Sequence, residues 1–275
     1  MRISRKTQWA VRLFFFVLAS VLLALWFKEN IAALPRATYL TGWLLLTLMV
    51  ILTVYNGRKK IPFLPLATSK GWLQFHIYAG FFTLLLFVAH IRFRAPTGWF
   101  EGSLALLYAL VMGSGILGLI LSRTFPKRLT TRGGEVIFET IPVIRRSFRE
   151  RAEALALQSI PEAKASTVAD FYAQELAGFF SGPRHFWQHL FEVRSPLNRL
   201  LKKIENLNRF LNDQERDVMR QIADLVRQKD GLDYHHSLQL TLKLWLFAHI
   251  PLTYSLLIFS VVHVVLINAF SGGAR

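Results

Sequence analysis

The chain has 275 residues, 53% hydrophobic and 18% charged, with a mean hydropathy of +0.34. A soluble globular chain carries about 25% charged residues, so this composition is too apolar for water alone. There is no cysteine, which excludes disulfides, thiolate-held metals, iron–sulfur clusters bound by this chain and covalent c-type haem. The formal charge of +16 is unevenly spread. Residues 126–236 hold 18 of the 33 Lys+Arg and 15 of the 17 Asp+Glu, a net of +3, and the other +13 lies beside apolar runs. A nucleic-acid binder concentrates its surplus on a polar domain, so no nucleic-acid partner is expected. Cations flanking apolar runs are instead the positive-inside signature of a protein in a lipid bilayer.

The pattern predicts an all-α fold: an integral membrane helical bundle of five spans, with a cytoplasmic helical insert between spans four and five. The spans are Trp9–Phe27, Tyr39–Tyr55, Trp72–Ile91, Ser103–Leu121 and Leu240–Ile267, each long enough to cross roughly 30 Å of hydrocarbon. The first has a basic start but a long apolar stretch and no clean small-x-small cleavage site, which reads as a retained signal anchor. The implied organisation is 1–125 for spans one to four, 126–236 for the insert, and 237–275 for the fifth span and an external tail.

Orientation follows from the flanking cations. One side gathers Arg2, Arg5, Lys6, Arg12, Arg58, Lys59, Lys60, Lys70, Arg123, Lys127, Arg128, Arg132 and Lys243; the other has Lys28, Arg36, Arg92, Arg94 and Arg275. The imbalance predicts a multi-pass protein of the cytoplasmic (inner) membrane with its N-terminus inside and C-terminus outside. Trp9, Trp26, Trp43, Trp72, Trp99 and Trp245 fall near span ends, as interfacial anchors do.

Within the insert, Thr167-x-x-Asp170 reads as a capping box before Phe171–Phe180, with Gly182 as the stop. Ser195-Pro196 opens a helix whose Leu197, Leu200, Leu201, Ile204 and Leu207 share one face. Asn212-x-x-Glu215 caps a second, with Val218, Ile222, Leu225 and Val226 apolar and Gly231 as its end. The two read as a helical hairpin, and Gly133–Pro142 as a short extended segment.

The chemistry lies in four histidines inside the spans. His76 and His90 occupy the third, His249 and His263 the fifth, and both pairs are 14 residues apart. An ionisable residue within a lipid-spanning helix is costly and marks function. Fourteen residues rise about 21 Å and fall about 40° short of four turns, so both rings of a pair leave one face. The third and fifth spans run in the same direction, which sets His76 level with His249 and His90 level with His263. Two imidazoles facing each other across a helix pair suit the axial positions of a haem b, and two levels make a ladder across the bilayer. Trp72-Leu73-x-x-His76 matches Trp245-Leu246-x-x-His249, and Ala89-His90-Ile91 matches Ala248-His249-Ile250. Gly80 lies one turn beyond His76, and Gly113, Gly115 and Gly118 stripe the fourth span, where glycine lets a bulky ring approach a backbone. Pro251 is expected to kink the fifth span after His249. Arg92 and Arg94 are candidate partners for propionates at the outer level, Lys70 or Lys243 at the inner.

On these residues the chain resembles the transmembrane domain of ferric reductases and NADPH oxidases, di-haem b-type membrane cytochromes with His-x13-His pairs on two parallel spans. The resemblance covers chiefly residues 71–121 and 240–267. It implies His76, His90, His249 and His263 as axial ligands of two non-covalent haem b groups. Family oxidases and reductases carry a flavin and nicotinamide domain after the last span, and lack so large an insert between the fourth and fifth. Electrons are therefore expected from a quinol pool or a redox partner protein, within a membrane complex.

Other readings of the same residues stand beside this one. Membrane histidines also serve helix–helix hydrogen bonding, a non-redox scaffold, or a transporter; transport sites, however, cluster at the midplane with carboxylates, and these spans contain no Asp or Glu. His185 and His189, at i,i+4, suit one metal or a plain interfacial helix. His235 and His236 border the fifth span at headgroup level. Phe179, Phe180, Phe186, Trp187 and Phe191 read as core or membrane-surface packing, with a quinone pocket as the functional alternative. Arg145, Arg146, Arg149 and Arg151 form a solvated face or a dock for an acidic redox partner.

Overall fold

The computed structural model describes residues 17–22, 25–26, 29, 34–58, 69–131, 136–163 and 167–270. The basic flank Arg2, Arg5, Lys6 and Arg12, most of the span Trp9–Phe27, and Lys28, Lys59, Lys60, Arg132 and Arg275 lie outside them. Every regular element among the described residues is helical. These are α1 (Leu34–Arg58), α2 (Ser69–His90), α3 (Trp99–Leu129), α4 (Ile141–Ala163), α5 (Thr167–Phe171), α6 (Ala177–Phe180), α7 (Phe186–Leu190), α8 (Ser195–Leu207) and α9 (Asp213–Phe270). A π turn, Tyr172–Leu176, joins α5 to α6, and 3-10 turns precede α4 and follow α8.

Among the described residues three helices are long and apolar enough to cross a membrane: α2 over Lys70–His90, α3, and α9. The apolar stretch of α1, Thr38–Val54, is shorter. These segments hold themselves together as lipid demands, with backbone groups bonded within each helix. Their hydroxyls bond back to their own turns: Thr47 to the Trp43 carbonyl, Thr53 to Met49, Thr253 to His249 and Ser260 to Leu256, all at 2.8–2.9 Å. These bonds satisfy the hydroxyl protons within the helix that carries them.

The chain forms two compact units. The first draws on Met1–Leu119 and Leu246–Arg275. In it α1 lies along α2, and Leu45, Leu86, Tyr108 and Leu256 form a buried cluster fed by α1, α2, α3 and α9. The Thr83 hydroxyl donates to the Gly80 carbonyl at 2.7 Å, so the Tyr108 hydroxyl, 3.0 Å away, donates to Thr83. Leu40, Leu106, Phe247, Ile258 and Val265 face outward. Apolar residues both inside and outside are the arrangement of a bundle solvated by lipid.

The second unit is Ile120–Trp245. Its core joins Ala152 and Ala156 of α4 with Val168, Leu176 and Phe180, Ile204 of α8, and Met219, Ile222 and Val226 of α9. The expected amphipathic face of α8 is present, with Leu197, Leu200, Leu201 and Leu207 packed on that core. At the start of α9 the Asn212 side chain accepts from the Glu215 N–H at 2.9 Å, and Glu215 accepts from the Asn212 N–H at 3.0 Å. That reciprocal pair is a capping box.

Two expectations differ. Gly231 does not end a helix: α9 runs unbroken from Asp213 through Gly231 and Pro251 to Phe270. A helical glycine costs only about 1 kcal/mol, and the turns around it bury Lys229, Leu232, Tyr234 and Leu238. In the segment Gly133–Pro142, the described part is a 3-10 turn, Phe138–Thr140, leading into α4, rather than an extended strand.

Candidate functional site

The first unit brings His90 of α2 and His263 of α9 together, with ring centres 6.4 Å apart and planes at 84°. An imidazole nitrogen bonds a transition metal at about 2.0–2.1 Å. With that nitrogen roughly 1.1 Å from the ring centre, two axial imidazoles on one ion have centres about 6.3 Å apart. The His263 ring is braced by Phe100, stacked at 6.3 Å and 26°, and Phe100 stacks in turn on Phe259 at 5.9 Å.

The His90 ring is locked by α1. Its Nδ1 lies 3.1 Å from the Thr38 carbonyl oxygen. A carbonyl can only accept, so Nδ1 carries the proton and Nε2 keeps its lone pair. Histidines that ligate metals are oriented this way by a donor bond from the other nitrogen. Gly42, one turn along α1, makes the approach possible: a Cβ there would lie 2.8 Å from His90 Cε1.

Immediately after His90 the chain turns through two residues with left-handed backbone, Arg92 (φ 54°) and Phe93 (φ 58°). Non-glycine residues there cost roughly 1–3 kcal/mol each and persist where surroundings enforce them. The turn sends Arg92 back to α1, where its Nε donates to Thr38 Oγ1 at 2.7 Å. Arg92, Arg94, His90, His263 and Gly42 all line one half-open cavity of about 660 Å³, within the range of cofactor sites.

The inner pair is held differently. Ser114 donates its one hydroxyl proton to the Val111 carbonyl at 2.8 Å, so its contact with His249 Nδ1 at 2.7 Å is accepted from an Nδ1–H. His249 therefore also presents an unprotonated Nε2. His76 meets the backbone of Leu52 and lies within electrostatic reach of His249. Neither lines the 660 Å³ cavity. A Cβ on Gly80 would meet nothing within 4 Å, and one on Gly115 only His249 Cε1, at 3.8 Å. Gly113, Gly115 and Gly118 spell a Gly-x-Gly-x-x-Gly, but they sit inside α3 with no strand before them, so they form no nucleotide-phosphate loop.

Among the described residues no group of three or more His, Asp or Glu could hold a metal ion.

Several expected roles fall elsewhere. Lys243 is engaged by Glu139 at 2.6 Å and lies over the Phe138 ring, while Lys70 is exposed. His235 is buried and His236 stacks on Phe138, both within the second unit. His185 and His189 have ring centres 6.4 Å apart, and His189 Nε2 lies 3.7 Å from Asp230. Arg145 leaves the basic cluster: it is largely buried, 3.6 Å from Asp233, which also receives the fully buried Lys229 and the Arg184 N–H. Phe179 and Phe180 are core, whereas Trp187 and Phe191 are exposed.

Sequence reasoning missed Thr38, Gly42 and Ser114. The signal available was small residues in apolar spans: Thr38 and Gly42 four apart on one face, and Ser114 between two glycines. No family model, curated protein or solved structure matches this chain.

Proposed function

We propose that this chain carries electrons across a membrane as the cytochrome b subunit of an oxidoreductase. Two non-covalent haem b groups supply the one-electron chemistry. His90 and His263 hold the outer one, His76 and His249 the inner. The observation that carries this reading is the His90–His263 pair, with ring centres 6.4 Å apart on the wall of a cavity that Arg92 and Arg94 also line.

The protein's own part is positional and electrostatic. Thr38 and Ser114 fix the imidazole tautomers and strengthen Nε2 as a donor. Arg92 and Arg94 offer guanidinium groups to carboxylates at the outer level. Were histidine to hold the iron from both sides, an external acceptor would be reduced without binding it. We place α1, α2, α3 and the 240–267 part of α9 as four of five spans, with the second unit on the cytoplasmic side of the inner membrane and the C-terminus outside. Electrons pass between quinol or a partner reductase on one side and an acceptor on the other, in either direction, and another subunit completes the reaction.

The test is a reduced-minus-oxidised absorption spectrum of the purified chain with haem counted as the pyridine haemochrome. Two b haems per chain support the reading. A colourless protein refutes it and leaves a scaffold or transporter.

A further inference from the structure

We propose that Phe186–Val193 in the second unit is a membrane-surface anchor, seated in the headgroup layer of a bilayer containing anionic lipid. This rests on the reading of α3 and α9 as membrane spans. Trp187 is 65% exposed, Phe191 71% and Val193 45%. The Trp187 and Phe191 rings stack on each other, with centres 6.4 Å apart at 17°, so they form one apolar plate facing away from the core. Large exposed aromatics grouped this way mark a binding surface.

The seat of the plate says what covers it. Leu190, on the inner side of α7, packs in a cluster with Leu121 and Phe125 of α3 and with Leu238, Leu242 and Trp245 of α9. Leu121 ends the apolar run of α3, and Leu242 and Trp245 open that of α9. The segment is thus fastened to both helices where they meet the polar boundary. Arg128 secures it: its Nη2 donates to the His189 carbonyl at 2.9 Å and its Nε pairs with Glu192 at 2.9 Å. The Tyr234 hydroxyl adds a bond to Glu192 at 3.1 Å. His185 and Glu192, both at φ 59°, turn the chain into and out of α7.

Charge matches a lipid surface. Glu192, the one acid in the segment, is matched by Arg128, while Arg184 and Arg194 flank it as exposed cations. Tryptophan with one apolar body and one polar N–H favours the membrane–water boundary. Cations beside such a plate draw it to anionic headgroups.

Because the chain has no cysteine, single reporters can be introduced cleanly. Trp187→Cys and Phe191→Cys, with references Leu117→Cys in α3 and Phe210→Cys in the second unit, are spin-labelled in the full chain. Each is reconstituted in phosphatidylethanolamine–phosphatidylglycerol bilayers and probed with oxygen and a water-soluble nickel chelate. The expected oxygen-to-nickel accessibility ratio at 187 and 191 is several-fold above that at 210 and approaches that at 117. A ratio at 187 and 191 equal to that at 210 overturns the anchor while leaving the spans intact. Exclusion of both reagents there, as under a second protein, also overturns it. Nickel access at 117 refutes the span assignment itself.

Discussion

Substituting Gly42 by alanine tests the outer site at its tightest point. The added Cβ would lie 2.8 Å from His90 Cε1, about 0.6 Å inside an ordinary contact of roughly 3.4 Å, whereas a binding constellation tolerates only about 0.5 Å of misplacement. The ring cannot retreat along its present axis without stretching its 3.1 Å bond to Thr38. Overpacking of this kind costs about 1–3 kcal/mol, or roughly 5- to 150-fold in affinity if borne by the ligand's hold on the cofactor. Gly42→Ala is therefore expected to lose or weaken the outer haem and spare the inner, read as haem per chain and as the loss of one redox component. Gly80→Ala is the informative companion. Beyond its chain neighbours and its own helix backbone, nothing lies within 4 Å of the Cβ that alanine would add, so a loss of inner haem there would point to a group occupying that space. Two haems with unaltered spectra in Gly42→Ala would refute the reasoning.

Ser114→Ala removes the acceptor for the His249 Nδ1–H, making the imidazole a poorer donor to ferric iron; the midpoint potential of one haem should rise, Ser114→Thr should restore it, and a potentiometric titration decides. Lys229 and Asp233 form a buried ion pair, so Lys229→Met should cost about 3–5 kcal/mol in denaturant unfolding of the full chain in detergent. The double variant with Asp233→Asn, which still accepts the Arg184 N–H, should recover much of that loss. Burial, reinforced by the Lys229 charge, holds the His185 imidazole below its ordinary value of 6.5. The unfolded chain then takes up the proton first, and stability falls as pH drops from about 6.5 toward the folded-state value. His185→Gln should flatten that part of the stability–pH profile, and an unchanged slope would contradict the assignment.

The parts of this chain that were legible in its sequence are those written as periods and caps. The leucine stripe of α8 and the Asn212–Glu215 box depend on local spacing, and both appear where spacing put them. The 14-residue interval of the histidines anticipates one contact that is present, that of His90 with His263. What stayed hidden depends on distant neighbours. Gly231 looks like a terminator until the buried residues around it are seen to outweigh its cost. Thr38 is an ordinary threonine until a ring 52 positions away donates to its carbonyl. Arg145 looks like one of four surface cations, and only the packing of α4 against α9 reveals its place beside Asp233.

The pairing of ligands across α2 and α9 is tested most directly by four alanine variants scored by redox-resolved haem spectra. His90→Ala and His263→Ala should abolish the same component, and His76→Ala and His249→Ala the other. Four variants that each keep both components, or a His90/His263 pair that removes different ones, would contradict the account.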